Sequence, residues 1–167
     1  RLLAGSSCLL GKRKDFASLA GQRGFSETPQ FEGSSCLSRE RYDYMFQKRL
    51  LDEHYRTYGG SYGWVLAGLR ASRKLMRKEN LAKIKTPVLL FAAGYDHMVD
   101  NDAIERFAEL TDRTELIFMP DSRHEIFNAD ERTRTKYYDE IFRFIKEEEV
   151  KDYENKNEQT RKILGTV

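Results

Sequence analysis

The sequence predicts an α/β fold built around a parallel sheet, and three observations carry that expectation. Two short apolar runs, at 87–93 and 116–119, read as strands; a stretch of helical periodicity separates them; and further helix-period stretches lie before and after the pair. Strand, helix, strand within one sheet implies a right-handed crossover and a parallel pair. Strands alternating with helices place the second half of the chain in the α/β class.

Residues 1–37 are rich in Gly, Ser, Lys and Arg, with Pro29 near their end, and read as loop with at most short helices. Ser38 is a candidate N-cap for a first helix that carries Tyr42, Met45, Phe46 and Leu50 at helical spacing and ends before Gly59. A second helix follows Gly63. Trp64, Gly68, Ala71 and Leu75 line one stripe, Val65, Leu69 and Met76 lie beside it, and Arg70, Arg73, Lys74 and Arg77 fall largely elsewhere; the helix runs to about Lys78.

Pro87 and VLLFAA then form a continuous apolar run closed by Gly94, the pattern of a central strand buried on both faces. Ala103, Ile104, Phe107 and Leu110 make a short amphipathic helix, and the run from Leu116 to Met119 is stopped by Pro120. Tyr137, Ile141, Phe144 and Ile145 mark a final helix from about Ala129 to Glu149, and the charged tail from Val150 is expected to fray.

At 167 residues the chain supports one globular domain with a real core. A hydrophobic fraction of 40% with 34% charged residues fits a globular protein, although a mean hydropathy of −0.70 makes it rather polar. Lys plus Arg total 29 against 27 for Asp plus Glu, and the two signs are mixed along the chain, so nothing asks for a nucleic-acid partner. The longest apolar run, VLLFAA, is far short of the roughly 20 residues that cross a bilayer, and the chain is expected not to be transmembrane. Cys8 and Cys36, each in a GSSCL pentapeptide, have neither disulfide-framework nor metal-site spacing and read as free thiols. The opening RLLAGSSCLLG lacks an initiating Met and the pattern of a signal peptide, which leads to the expectation of a chain that continues upstream.

Residues 58–64, YGGSYGW, contain a literal G-x-S-x-G that makes Ser61 a candidate nucleophile. Such an elbow needs a buried strand feeding a sharp turn and then a helix. HYRTY, just before it, is no such strand, so Ser61 is expected to be a helix N-cap, with the glycines turning the chain between two helices. No other serine supplies the elbow.

In open parallel sheets ligands bind beyond the carboxyl ends of the strands. The first strand is followed there by GYDHMVD and the second by PDSRHEIFN, so Asp96 and His124 can meet on one rim. A carboxylate on one ring nitrogen fixes the tautomer of an imidazole and frees the other nitrogen to accept a proton. On spacing alone a second reading stands beside this one, with Asp96 capping a turn and His124 an ordinary loop histidine. Asp100 competes as the acid but precedes a helix that it can cap. Asp96, His97, Asp100 and His124 lack the His-x-x-x-His or paired Cys that would anchor a metal. Glu125, beside His124, is a candidate supporting group for the histidine, with a solvated loop carboxylate as the favoured reading.

TPVLLFAAGYDHMVD followed by IFMPDSRHEIFN resembles the C-terminal half of the lysophospholipase and monoacylglycerol lipase branch of the α/β-hydrolases, the serine aminopeptidase S33-like family. FEGSSCLSRERYDYMFQKRL and YGGSYGWV are similar to the cap of that branch, and the likeness covers about residues 10–148. The resemblance implies a partial α/β-hydrolase fold comprising the last two parallel strands and their flanking helices. A helical cap is expected at 1–80, the core at 81–149 and a charged tail at 150–167. Carried over by position, Asp96 is the triad acid and His124 the triad histidine, while the nucleophile lies N-terminal to this chain. The implied activity is hydrolysis of a lipid carboxylic ester, lysophospholipid or monoacylglycerol, with no metal or organic cofactor. The alternative is a non-catalytic remnant that binds lipid or a partner chain. Implied partners are the lipid ester, a missing N-terminal half and, through the basic residues Arg39, Arg41, Lys48, Arg49 and Arg56, a membrane surface; a solvated helix face is the competing reading of those residues. The expected location is cytoplasmic or peripheral to a membrane.

Overall fold

A computed structural model describes residues 2–17, 25–56 and 59–164. The chain divides into two compact units, one made of Arg1–Ser34 with Tyr42–Lys85 and the other of Ser35–Arg41 with Thr86–Val167. Among the described residues no helix is long and apolar enough to cross a membrane.

The first unit is helical, with α1 at Leu2–Leu9, most of α2 (Arg39–Leu51), α3 at Tyr62–Leu75 and a one-turn α4 at Lys78–Leu81. Its apolar centre is aromatic. Tyr42 stacks on Phe46 with ring centroids 5.9 Å apart, Phe46 stacks on Phe25 at 5.8 Å, and Phe31 meets the edge of Tyr42 at 5.4 Å. Helical spacing places Tyr42 and Phe46 on one face, which is how α2 buries Phe46. The first helix was expected to end before Gly59, and it ends at Leu51. Two side chains terminate it: Asp52 accepts from the His54 N–H at 2.9 Å and starts a separate 3-10 turn, while Arg56 donates to the carbonyls of Arg49 (2.8 Å) and Leu50 (3.1 Å). Arg56, one of the residues considered for a membrane surface, therefore serves as a C-terminal cap. It also lies over the Phe25 ring at 4.9 Å.

The second unit carries the sheet. β1 (Val88–Ala93) and β2 (Thr114–Met119) pair in parallel, in register from Val88 opposite Thr114 to Ala93 opposite Met119. Between them α5 (Asn101–Glu109) packs on both strands, capped by Asp100, whose side chain accepts from the Asp102 N–H at 3.1 Å. Ala93, Met119 and Ile126 form the buried centre, with Phe91, Ile117 and Tyr137 packed against them. The Phe91 and Tyr137 rings are 4.7 Å apart. β1 was expected to be buried on both faces. Only its last two residues, Ala92 and Ala93, are buried, because the sheet within the described residues has two strands and cannot cover Val88 to Phe91 fully.

The last helix, α6, spans Glu131–Leu164 and is longer than expected. Asp130 starts it by accepting from the Thr133 N–H at 3.0 Å. Where fraying was expected from Val150, the helix continues to Leu164. Ion pairs at helical spacing carry the helix onward, Lys151 with Glu148 at 2.6 Å and Lys156 with Asp152 at 2.6 Å. Arg143 holds Glu140 (2.8 Å) and Glu147 (3.0 Å) and also reaches Glu115 on β2, tying the helix to the sheet.

Candidate active site

The two strands end side by side, and the chain that follows each is stitched to the other. The Gly94 N–H donates to the Met119 carbonyl at 2.9 Å and the Tyr95 N–H to the Ser122 carbonyl at 2.9 Å. Ser122, fully buried, returns its hydroxyl to the Met119 carbonyl at 2.9 Å. These bonds continue the sheet for one more step past its last pair, so the residues that come next in each loop must emerge close together.

They do so as a bonded pair. His124 Nδ1 lies 2.9 Å from Asp96 Oδ2. The other carboxylate oxygen, Oδ1, accepts from the main-chain N–H groups of Met98 (2.8 Å) and Val99 (3.1 Å), which pins the carboxylate. Burial alone would push the Asp96 carboxyl upward. The hydrogen bonds from the Met98 N–H, the His124 ring and the Val99 N–H together outweigh it and leave the group below its usual value. The side chain of Asp96 is 3% exposed and that of His124 is 39% exposed. That contrast has a chemical meaning. An ionised carboxylate only accepts hydrogen bonds, so the proton sits on Nδ1, and the Nε2 lone pair of neutral His124 is left to take a proton from something outside.

The model of the family described as serine aminopeptidase, S33, matches residues 29–131, which include both strands, Asp96 and His124. The chain belongs to the serine aminopeptidase S33 family. No curated protein and no solved structure matches it. The parallel strands and flanking helices of this S33 family member are accordingly part of an α/β-hydrolase fold, and its chemistry is that of a hydrolase of the α/β type.

Ser61 lies elsewhere in the S33 chain, in the helical unit. Its hydroxyl accepts from the Trp64 N–H at 3.2 Å as the N-cap of α3. Before it, Gly59 has φ +84°, a turn conformation that a side chain resists, and a short antiparallel bridge joins Ser61 to Phe16. Among the described residues before it, no strand leads into Ser61. Asp100, the competing acid, is committed to capping α5. Glu125, expected to face solvent, accepts from Asn128 Nδ2 at 2.8 Å. Among the described residues no group of three or more His, Cys, Asp or Glu side chains is placed to hold a metal ion.

Asn128 was not singled out from the sequence, and Arg41 and Cys36 were read only as a basic surface residue and a free thiol, yet all three are bonded around the loop that carries His124. A polar amide between Phe127 and Ala129 in an otherwise apolar turn was the one available signal.

Proposed function

We propose that the protein supplies the acid and histidine of a Ser-His-Asp triad in a serine hydrolase that cleaves carboxylic esters of lipids, lysophospholipid or monoacylglycerol. The observation that supports this most directly is the 2.9 Å contact between His124 Nδ1 and a shielded, doubly anchored Asp96 at the strand tips. His124 Nε2 takes the proton of a serine hydroxyl as the serine oxygen attacks the ester carbonyl. The imidazolium returns that proton to the departing alcohol, and water, activated in the same way, then releases the fatty acid from the acyl-enzyme. Asp96 holds the tautomer and offsets the positive charge that develops on the ring. The nucleophile is proposed to come from outside residues 1–167, on a strand-to-helix turn that none of the described serines occupies.

Apolar side chains within the two loops favour a lipid over a peptide substrate. Tyr95, Met98, Val99 and Phe127 are exposed within a few residues of Asp96 and His124, a rim suited to an acyl chain. Peripheral contact with a membrane or a lipid aggregate, in the cytoplasm, fits such a substrate.

A second reading is a non-catalytic member of the fold that binds lipid or a partner chain, and Ser61 acting as a helix cap favours it over catalysis by these residues alone. The deciding experiment expresses the reading frame continued upstream of Arg1 and assays monoacylglycerol and lysophospholipid hydrolysis. The triad reading expects activity that His124→Ala abolishes. A frame without a strand followed by G-x-S-x-G, or activity indifferent to His124→Ala, overturns it.

A further inference from the structure

We infer that Asn128 is a positioning residue for His124, acting through a strap formed by Ser35–Arg41. The inference rests on the reading of Asp96 and His124 as a catalytic pair.

His124 sits in an irregular loop between β2 and a 3-10 turn at Ile126–Asn128, so no helix or strand ladder holds its main chain. What holds it comes from far away in sequence. The residue before it, Arg123, donates from Nη1 to the Cys36 carbonyl at 3.4 Å; the residue after it, Glu125, donates its main-chain N–H to the Ser35 carbonyl at 3.0 Å. Both neighbours of the histidine are therefore fastened to the strap.

Asn128 locks this arrangement from beneath. It is 1% exposed, and a buried primary amide without partners is costly. Every part of it is engaged: Oδ1 accepts from Arg41 Nε (3.4 Å) and Nη2 (3.3 Å), and Nδ2 donates to Glu125 Oε2 (2.8 Å). Its main-chain N–H donates to the Glu125 carbonyl at 2.8 Å, and its own carbonyl lies 2.9 Å from Cys36 Sγ. The amide thus bridges a guanidinium and a carboxylate of opposite sign, with its oxygen toward the cation and its nitrogen toward the anion. That polarity suits Asn and no apolar residue of its size. Because Glu125 is bonded by main chain to the strap and by side chain to Asn128, loss of the amide frees the residue adjoining His124. Orientation demands of a histidine relay are tight, and small displacements there are expensive.

The test uses the whole 167-residue chain with 15N-labelled histidine, because the tautomer of a ring is read from its nitrogen shifts without any catalysis. The native chain is expected to show His124 protonated on Nδ1. Asn128→Leu, folded by circular dichroism, is expected to lose that preference for a mixture in which Nε2–H dominates. Glu125→Ala should move the shifts in the same direction, and Glu125→Gln, which keeps an acceptor for Nδ2, should restore them. If Asn128→Leu does not fold, the Glu125→Ala and Glu125→Gln pair decides alone. Native shifts in Glu125→Ala, or in folded Asn128→Leu, overturn the proposal. Asp96→Asn separates the two levels: if it abolishes the Nδ1–H form while Asn128→Leu does not, only the positioning role falls. If Asp96→Asn changes nothing, the catalytic pair falls and the positioning role with it.

Discussion

Gly94 approaches Pro120 so closely that a Cβ at position 94 would lie 2.3 Å from the Pro120 carbonyl oxygen and 2.8 Å from its Cα. The contact is between main chains, so no flexible side chain can yield. It is a close approach between the chain leaving β1 and the chain leaving β2, just before the loops that carry Asp96 and His124.

Gly94→Ala is therefore expected to destabilise the second unit by about 1–3 kcal/mol or more, the range for overpacking a tight site. The urea midpoint should fall, and the Nδ1-protonated form of His124 should be lost in whatever fraction remains folded. An unchanged midpoint would mean that the two tips slide apart freely.

Asp96→Asn keeps the shape of the side chain and presents an amide that can stabilise the wrong ring tautomer. In the serine hydrolase proposed above, kcat is expected to fall by about 10⁴-fold, with the Michaelis constant little changed. Steady-state kinetics on a soluble ester checks this, and a loss of under tenfold would remove Asp96 from the triad.

Acid should dissolve the same contact. The folded Asp96 carboxyl lies below its ordinary value, the net result of burial being outweighed by the Met98 N–H, the His124 ring and the Val99 N–H. A lowered folded value means that its contribution to stability is complete above the unfolded value of about 3.9 and disappears as pH falls through the folded one. The difference in urea midpoint between the native chain and Asp96→Asn should hold constant near neutrality and shrink below about pH 4. A difference that is flat down to about pH 2 would contradict the assignment.

Ser61 offers a prediction of the opposite kind. As the cap of α3, it should tolerate Asn and Asp, while Ala costs about 1 kcal/mol in stability. None of the three should change hydrolysis by the proposed enzyme, and the native 167-residue chain should not be labelled by a serine-reactive fluorophosphonate. Stoichiometric labelling at Ser61 would reverse its role.

Arg143 joins α6 to β2 through the partly exposed Glu115, and its ion pairs hold it protonated well beyond its ordinary range, the Glu140 bond first among them. Arg143→Met should lower the melting temperature in dilute buffer, with the deficit closing toward about 1 M salt as screening removes the native advantage. A deficit independent of salt would assign the effect to packing.

The strands, α5 and the pairing of Asp96 with His124 were legible because each depends on neighbours close in sequence or on a rule of parallel sheets: apolar runs stopped by Gly94 and Pro120 mark the tips, and the acid and histidine follow them. The break between α2 and α3 was legible in Gly59, Gly60 and Gly63, but the stop already at Leu51 was hidden, because it depends on Asp52 and Arg56 outcompeting a helical pattern that continues past it. The persistence of α6 past Val150 was hidden for the converse reason, since its apolar periodicity ends where the ion pairs take over. Asn128 and the strap had no periodic signature at all. Their bonds join main-chain and polar groups 87 to 92 positions apart, and no pattern within a window reports those.

The sequence separation of the strap's bonds leads to an expected order of events in folding. Ser35–Arg41 leaves the ribosome long before the His124 loop, yet its bonds to Asn128 and Arg123 close only after the intervening polypeptide has been made. Contacts so distant along the chain are slow to form and are gained late. The β1–β2 pair and α5, local in sequence, are expected to assemble first, leaving the His124 loop loose until the strap closes on it.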